Sequence, residues 1–180
     1  KLPAFFNPAD FPAAQTTKNG ETVTTYDMTK RVLSNLEKLQ LDSLVAIGGD
    51  DTLSYAAVLD KQNFNVIGIP KTMDNDVQGT EYCIGFSSAI TRARELINRQ
   101  RTTLGSHERI GVFRIFGRDA GFSALYTAYV TSARCLIPEA PYDLDRLAEI
   151  LVADREANPS RYAVVVTAEY DPLRDEGRAY

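Results

Sequence analysis

The sequence predicts an α/β protein with largely parallel sheets, and three observations carry that expectation. Short apolar runs at residues 44–47, 66–69, 110–116, 135–137 and 162–167 alternate with segments of helical period. The runs end in glycine, aspartate, threonine or glutamate. No internal repeat, heptad pattern or low-complexity tract interrupts the alternation. Such alternation implies right-handed crossovers and a parallel sheet covered by helices on both faces.

Taken in order, residues 1–26 hold Pro3, Pro8 and Pro12, many polar residues and Asn19-Gly20, and read as irregular chain with a turn. Val32, Leu33, Leu36 and Leu39 then recur at helical spacing, with Asp27 as the candidate N-cap. Strand 44–47 leads to Gly48-Gly49-Asp50-Asp51 and a helix over 52–61 built on Leu53, Ala56, Ala57 and Leu59. Strand 66–69 leads to a long loop through Asp76 to Gly79, and Ile84-Gly85-Phe86 reads as a crossing point. A helix over 87–104 carries a basic face of Arg92, Arg94, Arg99 and Arg101 and ends at Gly105. Strand 110–116, a Gly117-to-Gly121 turn, helix 122–132 and strand 135–137 follow. The last helix, 144–156, begins at Tyr142 or Asp143 and is stopped by Asn158-Pro159, before strand 162–167.

At 180 residues, 44% hydrophobic and 24% charged, the chain has the composition of a globular protein. A net charge of -4 leaves no basic excess for a nucleic-acid backbone or an anionic membrane, so neither partner is expected. No apolar run approaches bilayer-spanning length. Cys83 and Cys135 are far apart and lack metal-ligand spacing, which with no secretory signal favours a reducing cytoplasm.

Chemistry concentrates at the strand ends: Gly48-Gly49-Asp50-Asp51, Lys71-Thr72-Met73-Asp74-Asn75-Asp76, Gly117-Arg118-Asp119-Ala120-Gly121, Pro138-Glu139 and Ala168-Glu169. Five such ends on one sheet edge are hard to explain as turns alone, and that edge is where open α/β sheets bind ligands. Glycines admit close backbone approach, and helix N-termini offer N–H groups to phosphate oxygens. Carboxylates beside phosphates repel them unless a cation intervenes, so Asp50 and Asp76, with Asp74 near, imply an oxygen-ligated Mg²⁺. Phosphoryl transfer uses this set of parts: positioned phosphates, a metal, and a base for the acceptor hydroxyl. Asp74 stands between Thr72, a phosphate-oxygen donor, and Asp76, a metal ligand, as a base should. Walker A, G-x-G-x-x-G, G-x-S-x-G and H-E-x-x-H patterns do not occur.

In order and spacing, Gly48-Gly49-Asp50-Asp51-Thr52, Pro70-Lys71-Thr72-Met73-Asp74-Asn75-Asp76, Ser106-His107-Glu108-Arg109, Phe116-Gly117-Arg118-Asp119-Ala120-Gly121 and Pro138-Glu139 resemble the phosphofructokinase family over about residues 25–169. The resemblance implies two Rossmann-like three-layer αβα subdomains with largely parallel sheets and the site in the cleft between them. The crossing near Gly85 would divide residues 1–85, a partial donor and Mg²⁺ domain, from 86–180, a partial fructose 6-phosphate domain. It further implies Asp50 and Asp76 at the metal–phosphate site, Asp74 as the base for the sugar 1-hydroxyl, and Thr72 on the transferring phosphoryl group. Gly117, Arg118 and Glu169 would hold fructose 6-phosphate beside Phe116, where methionine is common. Arg109 would reach the 6-phosphate from a neighbouring subunit, which requires a homodimer or homotetramer.

Two departures bear on the donor. ATP-using members commonly carry glycine where Asp51 stands and often where Lys71 stands; aspartate and lysine there resemble the pyrophosphate-dependent branch. A carboxylate at Asp51, next to Gly49 and Asp50, would repel a nucleotide α-phosphate, and Lys71 adds a cation for the compact pyrophosphate. No glycine-rich donor loop precedes Asp27, and the chain opens on Lys1-Leu2-Pro3 without methionine, so it reads as the middle of a longer enzyme. The expected activity is reversible transfer from pyrophosphate to fructose 6-phosphate, giving fructose 1,6-bisphosphate in cytoplasmic glycolysis. The alternatives are the ATP-dependent enzyme, a non-catalytic regulatory subunit of the same family, or a metal-dependent phosphatase.

Plainer readings apply to several residues. His107, the single histidine, reads as a local hydrogen-bonding or capping group. Glu139 reads equally as a strand cap, the four arginines as a solvated or subunit-facing surface, and the cysteines as small buried hydrophobes.

Overall fold

The N-terminal stretch expected to be irregular instead contains an antiparallel hairpin, β1 (Ala13–Lys18) and β2 (Glu21–Tyr26), in register from Ala13↔Tyr26 to Lys18↔Glu21. The prolines all lie at or before Pro12, outside the ladder, and the run behind them is rich in β-branched Thr16, Thr17, Thr22, Val23, Thr24 and Thr25. A 3-10 turn, Pro8–Asp10, precedes it, and Phe6 stacks on Phe11 while meeting Tyr26 edge-on, each at 5.0 Å between ring centroids. The computed structural model describes residues 6–18, 21–117 and 119–169. It divides into two compact units, Lys1–Ile69 and Pro70–Tyr180. That boundary falls earlier than the crossing expected near Gly85.

In the first unit, α1 (Thr29–Lys38) starts where Asp27 Oδ1 accepts a hydrogen bond from the Thr29 amide at 2.9 Å. Hydrogen bonds from the Thr29 side chain and backbone hold the Asp27 carboxyl below its ordinary range. β3 (Ser43–Gly48) runs into α2 (Asp50–Lys61), and β3 is hydrogen-bonded to β4 (Asn65–Thr72). Ala46 and Gly48 of β3 are buried, whereas Val45 and Ile47 are 52% and 57% exposed. The apolar run therefore conceals an alternation, with its second face about half exposed. β4 extends past the expected end at Ile69, taking in Pro70, Lys71 and Thr72.

In the second unit, Lys71 and Thr72 pair in parallel with the two-residue β5 (Ile84–Gly85). Then come α3 (Phe86–Ser106), β6 (Ile110–Ile115), α4 (Phe122–Thr131), β7 (Arg134–Leu136), α5 (Leu144–Ala157) and β8 (Ala163–Ala168). The sheet order is β6-β8-β7, parallel throughout. All six residues of β8 are buried, and alternate ones serve different cores. Val164, Val166 and Ala168 pack with Ile97 of α3 and Ala124 and Ala128 of α4, while Ala163 and Val165 pack with Leu136 of β7 and Leu151 of α5. Helices thus cover both faces of this sheet, giving the expected three layers. A fully buried valine contributes about 1.5–3 kcal/mol, more than an exposed pair such as Arg146–Glu149.

Asp143 caps α5 by accepting from the Asp145 and Arg146 amides at 2.9 and 3.1 Å, and the helix stops at Asn158 before Pro159, as expected. Arg134 straps β7 to α5 through two 2.7 Å hydrogen bonds to Asp154, which hold that carboxyl below its ordinary range. Arg92 pairs with Glu95 on the exposed face of α3, but Arg101 turns inward and donates to the Thr131 carbonyl. Among the described residues no helix is long and apolar enough to cross a membrane.

Candidate active site

The five strand ends belong to two three-stranded sheets, β3-β4-β5 and β6-β8-β7, and not to the single edge expected. The reason is the long passage from Thr72 to Ile84, which separates two runs of strand–helix alternation.

In the first unit Gly49 is the N-cap of α2, so Asp50 and Asp51 form its first turn and lie in no loop. Both are exposed. Carboxylates are favoured there because the helix presents its unsatisfied N–H groups and the positive end of its dipole. The same field would attract a phosphate, which must then share it with two negative charges.

In the second unit the turn from Thr72 to Asp76 is pinned at several points. Thr72 Oγ1 accepts from the Asp74 amide at 3.2 Å, and the buried Ser123 hydroxyl donates to the Met73 carbonyl. Asn75, at φ 56°, accepts from the Cys83 amide at 2.8 Å and donates to the Glu81 carbonyl at 3.1 Å. Asp74 is half-buried with its Oδ1 enclosed, whereas Lys71 and Asp76 are exposed. A fixed backbone therefore carries one sheltered carboxylate and one open to solvent.

Beyond β6, Phe116 is 57% exposed and Gly117 adopts φ 127°, a conformation that admits glycine and strains other residues. Gly121 closes the turn, where an added Cβ would run into the Ile137 side chain and the Glu139 carboxylate. Glu139 Oε1 accepts from the Gly121 amide at 2.7 Å, so it caps α4 and closes the turn in one contact. Arg118 lies outside the described residues. Glu169 is exposed immediately after β8.

Arg109 is exposed at the start of β6, and its amide donates to the Leu104 carbonyl at 2.9 Å. Its neighbour Glu108, at φ 51°, receives Arg155 on its carbonyl at 2.7 Å and has Arg155 and Arg161 at 3.6 and 3.8 Å from its carboxylate. His107 Nδ1 stays local, 3.0 Å from both the Ser106 hydroxyl and the Thr103 carbonyl, as a capping group would. Cys83 is buried. Burial, with Glu139 nearby, pushes the Cys135 thiol up to about 11, which keeps it protonated and unreactive near neutral pH.

The second unit thus ties two candidate pieces to one helix: α4 holds Met73 through Ser123 and is capped through Glu139 at the Gly117-to-Gly121 turn. The Ser123 link has no signature in sequence, because one serine in an apolar helix resembles any other. The cleft lined by Arg101, Arg134, Asp154, Asn158 and Tyr162 lies at the amino-terminal ends of β7 and β8, away from the strand ends that carry Gly117 and Glu169. Among the described residues no three or more histidine, cysteine, aspartate or glutamate groups form a metal cage. The donors on offer, Asp50 and Asp76, are oxygen ligands exposed to solvent. Each, taken singly, is the kind of ligand that Mg²⁺ accepts, an ion that takes one or two carboxylates and fills its remaining positions with phosphate oxygens and water.

A family model described as Phosphofructokinase matches residues 13–177. The pyrophosphate–fructose 6-phosphate 1-phosphotransferase of Thermoproteus tenax is 49% identical over 139 residues, covering 76% of this chain and 40% of that protein. ATP-dependent 6-phosphofructokinase 3 of Streptomyces coelicolor is 37% identical over 144 residues, covering 79% and 42%. The chain therefore spans about 40% of the length of these curated relatives, and their names give different donors. The crystal structure of pyrophosphate-dependent phosphofructokinase from Marinobacter aquaeolei superposes with a TM-score of 0.65 at 21% identity, over 79% of this chain and 40% of that one, a likeness of fold.

Proposed function

We propose, from the premise that this chain belongs to the phosphofructokinase family, that the enzyme carrying it transfers a phosphoryl group from pyrophosphate to the 1-hydroxyl of fructose 6-phosphate. The observation that carries the reading is the pinned turn of Thr72 to Asp76, with a sheltered carboxylate at Asp74. Asp74 accepts the proton as the sugar oxygen bonds to phosphorus, the bond to the leaving phosphate breaks, and the products are fructose 1,6-bisphosphate and phosphate. Thr72 accepts a hydrogen bond from the Asp74 amide, which leaves its own O–H to donate to the moving phosphoryl group. Asp50 and Asp76 would hold Mg²⁺, which when bound spreads the negative charge that develops on the phosphates. Gly49, Asp51 and Lys71 serve the donor; Phe116, Gly117, Arg118 and Glu169 serve the sugar phosphate. Pyrophosphate is preferred to ATP in this reading because Asp51 sets a second carboxylate in the first turn of α2.

A coupled assay of that enzyme with each donor tests the reading. Turnover of fructose 6-phosphate with pyrophosphate is expected to exceed that with ATP by at least about tenfold. Turnover with ATP alone would overturn the donor, turnover with neither would leave a non-catalytic subunit, and phosphate release without a donor would indicate a phosphatase. The setting is cytoplasmic glycolysis or its reverse, in keeping with two free cysteines.

Arg109 completes the acceptor site of a neighbouring subunit in a homodimer or homotetramer. Replacing it with alanine is expected to raise the KM for fructose 6-phosphate about 10- to 100-fold, the loss of one charge-assisted contact. Mixed oligomers of Arg109→Ala and Asp74→Ala chains should regain activity, because some sites then receive both residues intact. No recovery on mixing would place Arg109 in its own subunit's site.

A further inference from the structure

We propose that Ser123 is a positioning residue for Asp74: its buried hydroxyl grips the Met73 carbonyl and fixes the peptide that carries the proton-accepting carboxylate. This rests on the reading of Asp74 as the base.

Ser123 is the second residue of α4 and has no exposed surface. A buried hydroxyl costs roughly 1–3 kcal/mol unless it finds a partner. Near a helix N-terminus a serine usually satisfies itself on its own or a neighbouring turn. Ser123 instead reaches a carbonyl fifty residues earlier in the chain. Met73 itself is 38% exposed, so the contact concerns its backbone more than its side chain.

The peptide unit joining Met73 to Asp74 is consequently held at both ends. Its carbonyl receives Ser123 and its N–H is bound by Thr72 Oγ1. The Thr72 contact lies within the turn and moves with it, whereas Ser123 ties the turn to a helix packed into the core of the second unit. Rotation of this peptide would swing the Asp74 Cα–Cβ bond, and small displacements of a reacting group are costly to rate. The far side of the same helix start is closed by Glu139 on the Gly121 amide. Ser123 and Glu139 thereby make α4 a common frame for the base and for the turn that follows β6.

The test uses the enzyme carrying this chain, with kcat expressed per fructose 6-phosphate site titrated by calorimetry, so that misfolded protein does not count. Ser123→Ala is expected to lower kcat per titrated site about tenfold while the KM for fructose 6-phosphate stays within about twofold. Ser123→Cys, nearly the same size with a weak donor, should fall between serine and alanine. Unchanged kcat per titrated site in Ser123→Ala, alongside loss of turnover in Asp74→Ala, would overturn the proposal and leave the base intact. Retained turnover in Asp74→Ala would instead remove the reading on which it rests. If the alanine variant does not fold, the cysteine variant decides: an unchanged kcat per titrated site overturns the proposal, and a partial loss with unchanged KM supports it.

Discussion

Replacing Asp74 with alanine is expected to lower kcat by about 10²- to 10⁴-fold while fructose 6-phosphate binding weakens by no more than about threefold. The asymmetry follows from what the side chain does in each state. A neutral hydroxyl needs little from the carboxylate in the ground state, so binding is hardly affected. As the sugar oxygen attacks, its proton acquires charge and needs an acceptor within reach. The backbone around Asp74 is held by Thr72 on the Asp74 amide, by Ser123 on the Met73 carbonyl and by Asn75 on the Cys83 amide, contacts that the substitution leaves in the chain. Asp74→Asn should behave similarly, since an amide matches the shape but is a poor proton acceptor. Coupled turnover and calorimetric binding on the same preparations check this, and kcat within about tenfold of the unsubstituted enzyme would falsify the assignment.

Replacing Asp51 with glycine is expected to move the ratio of kcat/KM for ATP to that for pyrophosphate by about 10- to 100-fold towards ATP. The estimate takes one unfavourable charge contact as about 1–3 kcal/mol. Asp51 occupies the first turn of α2 on an exposed face, so the change removes a charge without opening a core cavity. The freed N–H groups and helix dipole then act on a phosphate with one competing carboxylate fewer. Loss of the aspartate should cost the helix about 0.5–1 kcal/mol, mostly its interaction with the helix dipole and a few tenths from glycine's lower propensity, small enough for the enzyme to fold. The donor ratio, measured at saturating fructose 6-phosphate, is the readout. An unchanged ratio would assign donor choice elsewhere, with Lys71 the next residue to replace.

How much of this could be read in advance differs by kind of feature. Strand–helix alternation after Asp27 was legible because each element carries its own apolar period, and the caps at Asp27 and Asp143 carry their own chemistry. Boundaries at the site were misjudged for physical reasons. Gly48-Gly49-Asp50-Asp51 resembles a turn, yet aspartates stabilise a helix start, so α2 begins at Asp50. Pro70 argues against a strand, yet β4 runs through it to Thr72, where Lys71 and Thr72 pair with β5. The hairpin was hidden behind prolines that stand outside it. Partition into two sheets depends on pairing, which local pattern does not encode. The chemical residues were recognisable as a spaced set, but the contacts that hold them, Ser123 to Met73 and Glu139 to Gly121, join residues far apart in sequence. Arg101, read as part of a wet basic face, turned inward because a backbone carbonyl lay within its reach.

The placement of β8 at the centre of β6-β8-β7 has a consequence for the order of events during synthesis. β6 and β7 are both made earlier, and each has β8 as its strand neighbour in this sheet. At roughly 5–20 residues per second, the interval between finishing β6 and finishing β8 is roughly 3–10 s. Among the described strands β6 waits for all of that time and β7 for roughly its last 2–6 s, and the apolar sides of α3, α4 and finally α5 lack the strand on which their cores are built. Formation of this unit is therefore a late closure that no earlier pairing can stand in for, and its exposure to self-association is greatest just before the last strand arrives.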